Sequence, residues 1–149
     1  MAIPSYKIAI CGAGTTGLAS AAFLARDGHQ VQIFERFAEA QPLGAGFMLQ
    51  PTGLACLARL GLDKAAIAYG RRIARLHGET LTGRTILDLG YEELAPHLFA
   101  IGIQRATLFQ VLHDHVIEQD VPITCASEVV DSRRIVGGRT VVDKTGSRQ

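Results

Sequence analysis

The chain begins with a pattern that limits its start to a strand, a glycine turn, a helix and a second strand. An apolar run from Lys7 to Cys11 leads into Gly12-Ala13-Gly14-Thr15-Thr16-Gly17, and an alanine-rich stretch follows as far as Arg26. A second apolar run, Val31 to Phe34, ends at Glu35. This order of strand, G-x-G-x-x-G and helix predicts a β-α-β unit in a parallel sheet.

Each residue type in the glycine turn suits the binding of a dinucleotide. Gly12 allows a tight turn, Gly14 lets the main chain approach a diphosphate, and Gly17 lets the helix lie close to the strands. The diphosphate would accept hydrogen bonds from N–H groups at the positive end of the helix. Glu35 can accept hydrogen bonds from both ribose hydroxyls and disfavours a 2′-phosphate. The pattern therefore predicts FAD or NAD, and not NADP.

Composition and charge are typical of one globular domain. The chain has 149 residues, of which 48% are hydrophobic and 19% are charged, which suits one core but not two domains of ordinary size. The formal net charge of +1 gives no reason to expect nucleic acid as a partner. No apolar run has the length of a membrane span, and no signal-peptide pattern is present. The three cysteines form no C-x-x-C pair, which favours free thiols and a cytoplasmic location.

The remaining periodic segments predict further helices and strands. One helix begins at Pro51 and ends at Gly61, and Thr107-x-x-Gln110 is a capping-box pattern ahead of another, whose apolar face runs from Leu108 to Val116. The predicted strands after the glycine-rich loop are residues 72–81, 84–89, 121–126, 128–135 and 139–143. The last two of these would form a hairpin.

Three later blocks of sequence follow the glycine turn in a recognisable order. They are Glu35-Arg36, Gly44-Ala45-Gly46-Phe47-x-Leu49-x-Pro51, and Ile103-Gln104-Arg105-x-x-Leu108-x-x-x-Leu112. Over residues 6 to about 115, the chain resembles the FAD-dependent aromatic-ring monooxygenases of the p-hydroxybenzoate and salicylate hydroxylase type. The resemblance implies an α/β, Rossmann-like FAD-binding fold with a parallel sheet plus a β-hairpin or meander, incomplete at the C-terminus.

The resemblance also implies a role for each matched residue. Glu35 would bind the adenosine ribose, and Arg36 would lie beside the adenine and ribose. The main chain from Gly44 to Phe47 would pass close to the flavin ring, and Arg105 would reach the diphosphate and ribitol of FAD. Without the family, an ordinary solvated arginine at position 36 is favoured, and Gly44 and Gly46 can mark only a flexible loop.

The expected cofactor-binding residues comprise the matched positions and one residue of the hairpin. They are Gly12, Ala13, Gly14, Thr16, Gly17, Glu35, Arg36, Gly44, Ala45, Gly46, Phe47, Arg105 and Val129. We assign no catalytic side chain and no metal ligand.

In the family, NADH or NADPH reduces FAD, and one oxygen atom of O₂ is transferred to a small aromatic substrate, so the cofactor carries the chemistry. The family continues beyond the position of Gln149 into a substrate-binding sheet and a Gly-Asp motif. We therefore expect residues 1–149 to be a partial FAD-binding domain, with residues 71–100 contributing strands toward the missing substrate-binding domain. The isolated chain is expected to be inactive.

Two other functions remain open. One is a truncated, non-catalytic dinucleotide-binding module, and the other is the NAD-binding domain of a dehydrogenase. The loop at Gly44 and the cation at Arg105 disfavour the dehydrogenase.

The family's topology also predicts an open edge in the sheet. There, a strand after the hairpin returns to pair with the strand at residues 7–11. In this chain that strand is missing, so we expect an unpaired edge and a homo-oligomer formed through it.

Overall fold

The computed structural model describes residues 4–42 and 44–147. The chain forms two compact units, the first from residues 1–43 and 112–149 and the second from residues 44–111. The strands are β1 (Lys7–Cys11), β2 (Gln30–Phe34), β3 (Phe47–Leu49), β4 (Arg71–Ile73), β5 (Arg75–Glu79), β6 (Thr85–Gly90), β7 (Ala100–Ile103), β8 (Ile123–Thr124), β9 (Val129–Ile135) and β10 (Gly138–Asp143). The helices are α1 (Thr15–Arg26), α2 (Pro51–Leu60), α3 (Asp63–Tyr69), α4 (Tyr91–Leu94) and α5 (Arg105–Glu118).

A parallel sheet in the order β1-β2-β8 forms the centre of the first unit. β1 and β2 pair in register from Lys7 opposite Gln30 to Cys11 opposite Phe34. Helix α1 packs on these two strands, and both Leu18 of the helix and Ile33 of β2 are completely buried. The predicted β-α-β unit and the predicted α/β fold class are therefore confirmed.

The turn between β1 and α1 is tight because two glycines meet there. A Cβ atom added to Gly17 would lie 2.0 Å from the main-chain oxygen of Gly12, which no side chain can tolerate without a shift of the backbone. Gly12 itself has a φ of +101° and donates its N–H to the carbonyl of Phe34 at 2.7 Å. The first glycine therefore fixes the turn to the end of β2, and Gly17 allows the helix to pass beside it.

The hairpin of β9 and β10 borders a cleft on the sheet. The cleft has a volume of about 1150 Å³, and its lining includes Ala9, Cys11 and Gln32 from the sheet and Val129 and Val141 from the hairpin. The hairpin pairs Gly138 with Ile135 and continues, with one irregularity, to the pair of Asp143 with Val129. The predicted hairpin across Gly137-Gly138 is confirmed.

The second unit contains a three-stranded antiparallel sheet and a separate hairpin. β7 lies in the middle, and it pairs with β3 on one side and β4 on the other. Its residues Ile101 and Ile103 are buried, which makes it the apolar centre of this unit's sheet. The hairpin of β5 and β6 carries exposed apolar side chains, including Leu81, Ile86 and Leu87.

Several elements differ from the prediction. The expected strand at 72–81 is broken at Ala74: β4 pairs with β7, whereas β5 pairs with β6, so the chain changes sheets there. The carbonyl of Ala74 instead accepts a hydrogen bond from the N–H of Tyr91 at 2.9 Å. The predicted strand at 121–126 is reduced to β8. Helices α3 and α4 and strand β7 were not predicted from the sequence.

The proposed capping box at Thr107 is also wrong. Helix α5 begins at Arg105, and the N–H of Leu108 donates to the carbonyl of Gln104 at 3.2 Å. Thr107 therefore lies inside the first turn, because its own N–H and that of Leu108 already donate to the carbonyl of Gln104. In the described part of the chain, no helix is long and apolar enough to cross a membrane.

The packing at Gly17 makes a direct prediction about stability. Gly17→Ala should lower the free energy of unfolding by about 1–3 kcal/mol, because the added methyl group overlaps the carbonyl of Gly12. This loss should exceed the gain of up to about 1 kcal/mol that alanine has over glycine in a helix. Urea unfolding followed by circular dichroism measures the change.

A matched control is Gly138→Ala, since a Cβ atom at Gly138 would meet nothing within 4 Å. That variant should stay within about 0.5 kcal/mol of the unaltered chain. If the two variants had the same stability, the close approach of Gly17 to Gly12 would be wrong.

Candidate functional site

Glu35 directly follows β2 and joins three segments of the first unit. The residue is 7% exposed, and its carboxylate accepts hydrogen bonds from the N–H of Ala13 at 2.7 Å and the N–H of Phe37 at 3.0 Å. Its main chain bonds to Thr124 and Ser127, both at 2.8 Å. The side chain expected to face a ribose is therefore already tied to the glycine turn. Each carboxylate oxygen has a second lone pair, so the group can still accept further donors.

The start of α1 presents donors that its own side chains do not use. Gly14 is the N-cap residue, no side chain caps the helix, and its first turn contains no acidic residue. The first helical hydrogen bond runs from the N–H of Leu18 to the carbonyl of Gly14, at 2.9 Å. Thr16 is exposed and Thr15 is half-buried at this end. An anion here would meet main-chain N–H groups and the positive end of the helix dipole.

The other expected residues of the first unit lie in different surroundings. Arg36 is exposed, and its guanidinium carbon lies 4.6 Å from the centre of the Phe37 ring. Val129 is the first residue of β9, where it lines the cleft between the hairpin and the sheet. Among the expected residues of this unit, Ala13 and Glu35 are thus joined by a hydrogen bond, whereas Val129 lines the cleft.

The expected residues of the second unit form a separate group around Arg105. A Cβ atom on Gly44 would lie 3.4 Å from both the Cζ and the Nε atoms of Arg105, so the guanidinium lies against bare main chain. Gly44 has a φ of +99°, which also favours glycine. The Arg105 guanidinium carbon is 5.6 Å from the centre of the Phe47 ring. Gly44, Ala45, Gly46 and Arg105 are exposed, and Phe47 is half-buried.

Strand β7 explains why these residues meet although they are far apart in sequence. Phe47 is opposite Ile103 in the antiparallel pair of β3 and β7, which brings the loop before β3 next to the residues after β7. A Cβ atom on Gly46 would lie 3.0 Å from the carbonyl oxygen of Ile103. This strand was not predicted from the sequence. Its signal was the short apolar run Ala100-Ile101-Gly102-Ile103, directly before the matched block.

Two further residues with defined side-chain or main-chain partners were not found from the sequence. Phe37 supplies an N–H to the carboxylate of Glu35 and a ring to Arg36. Tyr91, which is 2% exposed, donates its hydroxyl to the Oε1 atom of Gln50 at 2.6 Å, at the start of α2. The only sequence signal for Phe37 was an aromatic residue directly after Glu35-Arg36. Tyr91 had no such signal, because it is far from Gln50 in the sequence.

Two carboxyl groups on the hairpins have pKa values below the usual range. A hydrogen bond from Arg75, at 2.5 Å, lowers the pKa of Asp88, and a hydrogen bond from the Thr145 hydroxyl lowers that of Asp143. Carboxyl groups with such pKa values are poor proton donors and acceptors near neutral pH. They stabilise a strand pair and a turn, and they give no reason to assign a catalytic acid or base.

Comparison with known protein families finds a match over almost the whole chain. Residues 5–146 match the model of a family described as the FAD binding domain. The 3-amino-4-hydroxybenzoate 2-monooxygenase of Streptomyces cremeus is 41% identical over 113 residues, which are 71% of this chain and 28% of that protein. The asperlicin C monooxygenase of Petromyces alliaceus is 32% identical over 130 residues, which are 83% of this chain and 27% of that protein.

A solved structure has the same fold. The tetrameric form of 2-methyl-3-hydroxypyridine-5-carboxylic acid oxygenase superimposes with a TM-score of 0.81 and 22% identity, over 99% of this chain and 38% of that one. At this identity, the likeness concerns the fold alone. The chain spans well under half the length of each of these three proteins.

Proposed function

Because this chain belongs to the FAD-binding-domain family, we propose that it is the FAD-binding part of a flavin-dependent monooxygenase. The observation that carries the proposal is the pairing of Glu35 with the glycine turn. A buried carboxylate lies next to an uncapped helix N-terminus, which is the arrangement that a ribose followed by a diphosphate requires. The relatives named as monooxygenases support the reaction class.

The resemblance assigns each of the two groups of residues to FAD. In the first unit, Glu35 accepts hydrogen bonds from the ribose, Arg36 lies beside the adenine, and the turn from Gly12 to Gly17 places the uncapped start of α1 at the diphosphate. Val129 of the same unit is also assigned as a contact of FAD. In the second unit, the main chain from Gly44 to Phe47 lies along the flavin ring, where glycine leaves room for a planar group. Arg105 supplies positive charge for the diphosphate and ribitol.

The reaction itself would depend on the cofactor. FAD, reduced by NADH or NADPH, supplies the transfer of an oxygen atom from O₂ to a small aromatic molecule. The residues of this chain bind and orient FAD, and none of them is assigned a proton-transfer role. We propose that residues 71–100, which include the exposed hairpin of β5 and β6, contribute strands toward a substrate-binding domain.

A cytoplasmic location is part of the same proposal. The three cysteines, Cys11, Cys56 and Cys125, are all free, and Cys11 and Cys56 are exposed. Exposed free thiols are typical of reducing compartments.

We also propose that the chain associates with a second copy of itself through β1. The carbonyl of Tyr6 accepts from Gln30 and the N–H of Gly12 donates to Phe34, so the even-numbered residues of β1 turn their main-chain groups toward β2. The odd-numbered residues, Lys7, Ala9 and Cys11, therefore turn theirs away, and no other strand of the described chain pairs with this edge. Such an edge favours pairing with another chain.

The geometry of the edge favours one arrangement of the two copies. An antiparallel pair with Ala9 opposite its own copy brings Lys7 opposite Cys11 and uses every outward N–H and C=O of β1. A symmetric parallel pair is not possible. Both copies would present the main-chain groups of the same odd-numbered residues, whereas the hydrogen bonds of parallel strands need a register offset of one residue. The proposed dimer is therefore two-fold symmetric about Ala9.

The first prediction from this proposal concerns FAD affinity. Glu35→Ala and Arg105→Ala should each weaken FAD binding by about 1–3 kcal/mol, because each removes a charge-assisted hydrogen bond. Titration with FAD, followed by the change in flavin absorbance and fluorescence, measures the dissociation constant.

Matched controls are Glu118→Ala and Arg84→Ala, which remove an exposed charge of the same sign elsewhere. Since Glu35→Ala also breaks the bonds to Ala13 and Phe37, Glu35→Gln, which keeps one acceptor, should be tested with it, and the unfolding midpoint should be recorded for both. Unchanged affinity in Glu35→Ala and Arg105→Ala would contradict the assigned roles.

The second prediction concerns association. Light scattering should show a mass above that of the monomer, rising with concentration. Ala9→Pro should shift the chain toward the monomer, because proline removes an outward N–H that the pairing with β2 does not use. Ala9→Val keeps that N–H and should still associate. A monomer at every concentration, with slow hydrogen exchange at Lys7, Ala9 and Cys11, would contradict the open edge.

A further inference from the structure

Phe37 is an exposed aromatic residue whose main chain is fixed on both sides. The residue is 42% exposed, although it lies only three positions after Phe34, the buried last residue of β2. Its N–H donates to the Oε1 atom of Glu35 at 3.0 Å, and its carbonyl accepts from the N–H of Ala126 at 2.7 Å. The ring is therefore presented at the surface from a fixed position in the main chain.

The ring of Phe37 supports the guanidinium group of Arg36. The guanidinium carbon lies 4.6 Å from the centre of the ring, which is the distance of a cation–π contact. Arg36 is exposed, and in the part of the chain that the structure describes no carboxylate lies within ion-pair distance of it. Among the described residues, the contact that orients this cation is thus the aromatic ring of Phe37.

The two side chains stand next to the carboxylate assigned to the ribose. Phe37 bonds to the same carboxylate that contacts the glycine turn through Ala13. A base is joined directly to its ribose, so a ribose held by Glu35 brings the base within reach of the neighbouring side chains. A guanidinium plane stacks well on the π-face of a nucleobase, particularly where it is already held flat.

We infer that Phe37 is a positioning residue that holds the guanidinium of Arg36 flat as a stacking platform for the adenine of a bound nucleotide. This inference rests on the proposed function and adds a residue that the resemblance does not assign. Because stacking uses the face of the base and not its edges, the platform supplies affinity for a purine and little discrimination among purines.

The test compares Phe37→Leu with Phe37→Tyr in the full chain. Leucine keeps an apolar side chain without a π-face, and it should raise the dissociation constants for both FAD and ADP by about 3- to 30-fold. Tyrosine keeps the ring, and both constants should stay within about 2-fold of those of the unaltered chain. FAD binding is followed by fluorescence and ADP binding by NMR, and thermal unfolding without ligand reports any change in the fold.

A double-variant cycle tests whether Phe37 acts through Arg36. Arg36→Ala combined with Phe37→Leu should bind FAD no more weakly than Arg36→Ala alone, because the ring has no guanidinium left to position. Losses that add up fully would overturn the inference. A raised dissociation constant for FAD with an unchanged one for ADP would also overturn it, because ADP contains the adenine but lacks the flavin.

Two outcomes separate this inference from the function on which it rests. If Glu35→Ala weakens FAD and ADP binding and Phe37→Leu does not, the platform is wrong and the proposed function stands. If the unaltered chain binds neither FAD nor ADP, or if Glu35→Ala has no effect, both are overturned.

Discussion

The first unit depends on the hydrogen bonds that the carboxylate of Glu35 accepts. The residue is buried, and the main-chain N–H groups of Ala13 and Phe37 donate to its carboxylate. A buried charge is tolerated only where donors surround it, so these bonds hold the glycine turn and the loop after β2 together. No side chain caps the start of α1, which follows this turn. One acidic residue thus organises the segments that a dinucleotide would contact.

In the second unit, the register of the sheet brings the proposed site residues together. These residues come from the loop before β3 and from the start of α5, and the pairing of Phe47 with Ile103 makes the two segments neighbours. The guanidinium of Arg105 then lies against Gly44, where a Cβ atom would be in van der Waals contact with it. Glycine at this position is favoured by its positive φ. The register of β3 and β7 therefore determines where the positive charge lies.

The sequence predicted local features of this fold better than pairings between distant segments. The limits of α1 and the hairpin at Gly137-Gly138 follow from glycine positions and apolar periodicity, which are local properties. β7 was missed because four residues, including Gly102, are too few to show a period. The bond from Phe37 to Glu35 was not predictable, because it depends on how the chain turns after β2. In general, side-chain partners require the three-dimensional path of the backbone.

The most direct test of the account is amide hydrogen exchange of the chain with and without FAD. We expect slower exchange in the presence of FAD at Gly12 to Gly17, at Arg36 and Phe37, and at Gly44 to Phe47. The amides of the β5–β6 hairpin, in contrast, should be unchanged. Slowing confined to other segments, or no slowing at saturating FAD, would contradict the claim that these residues form the FAD-binding part of the protein.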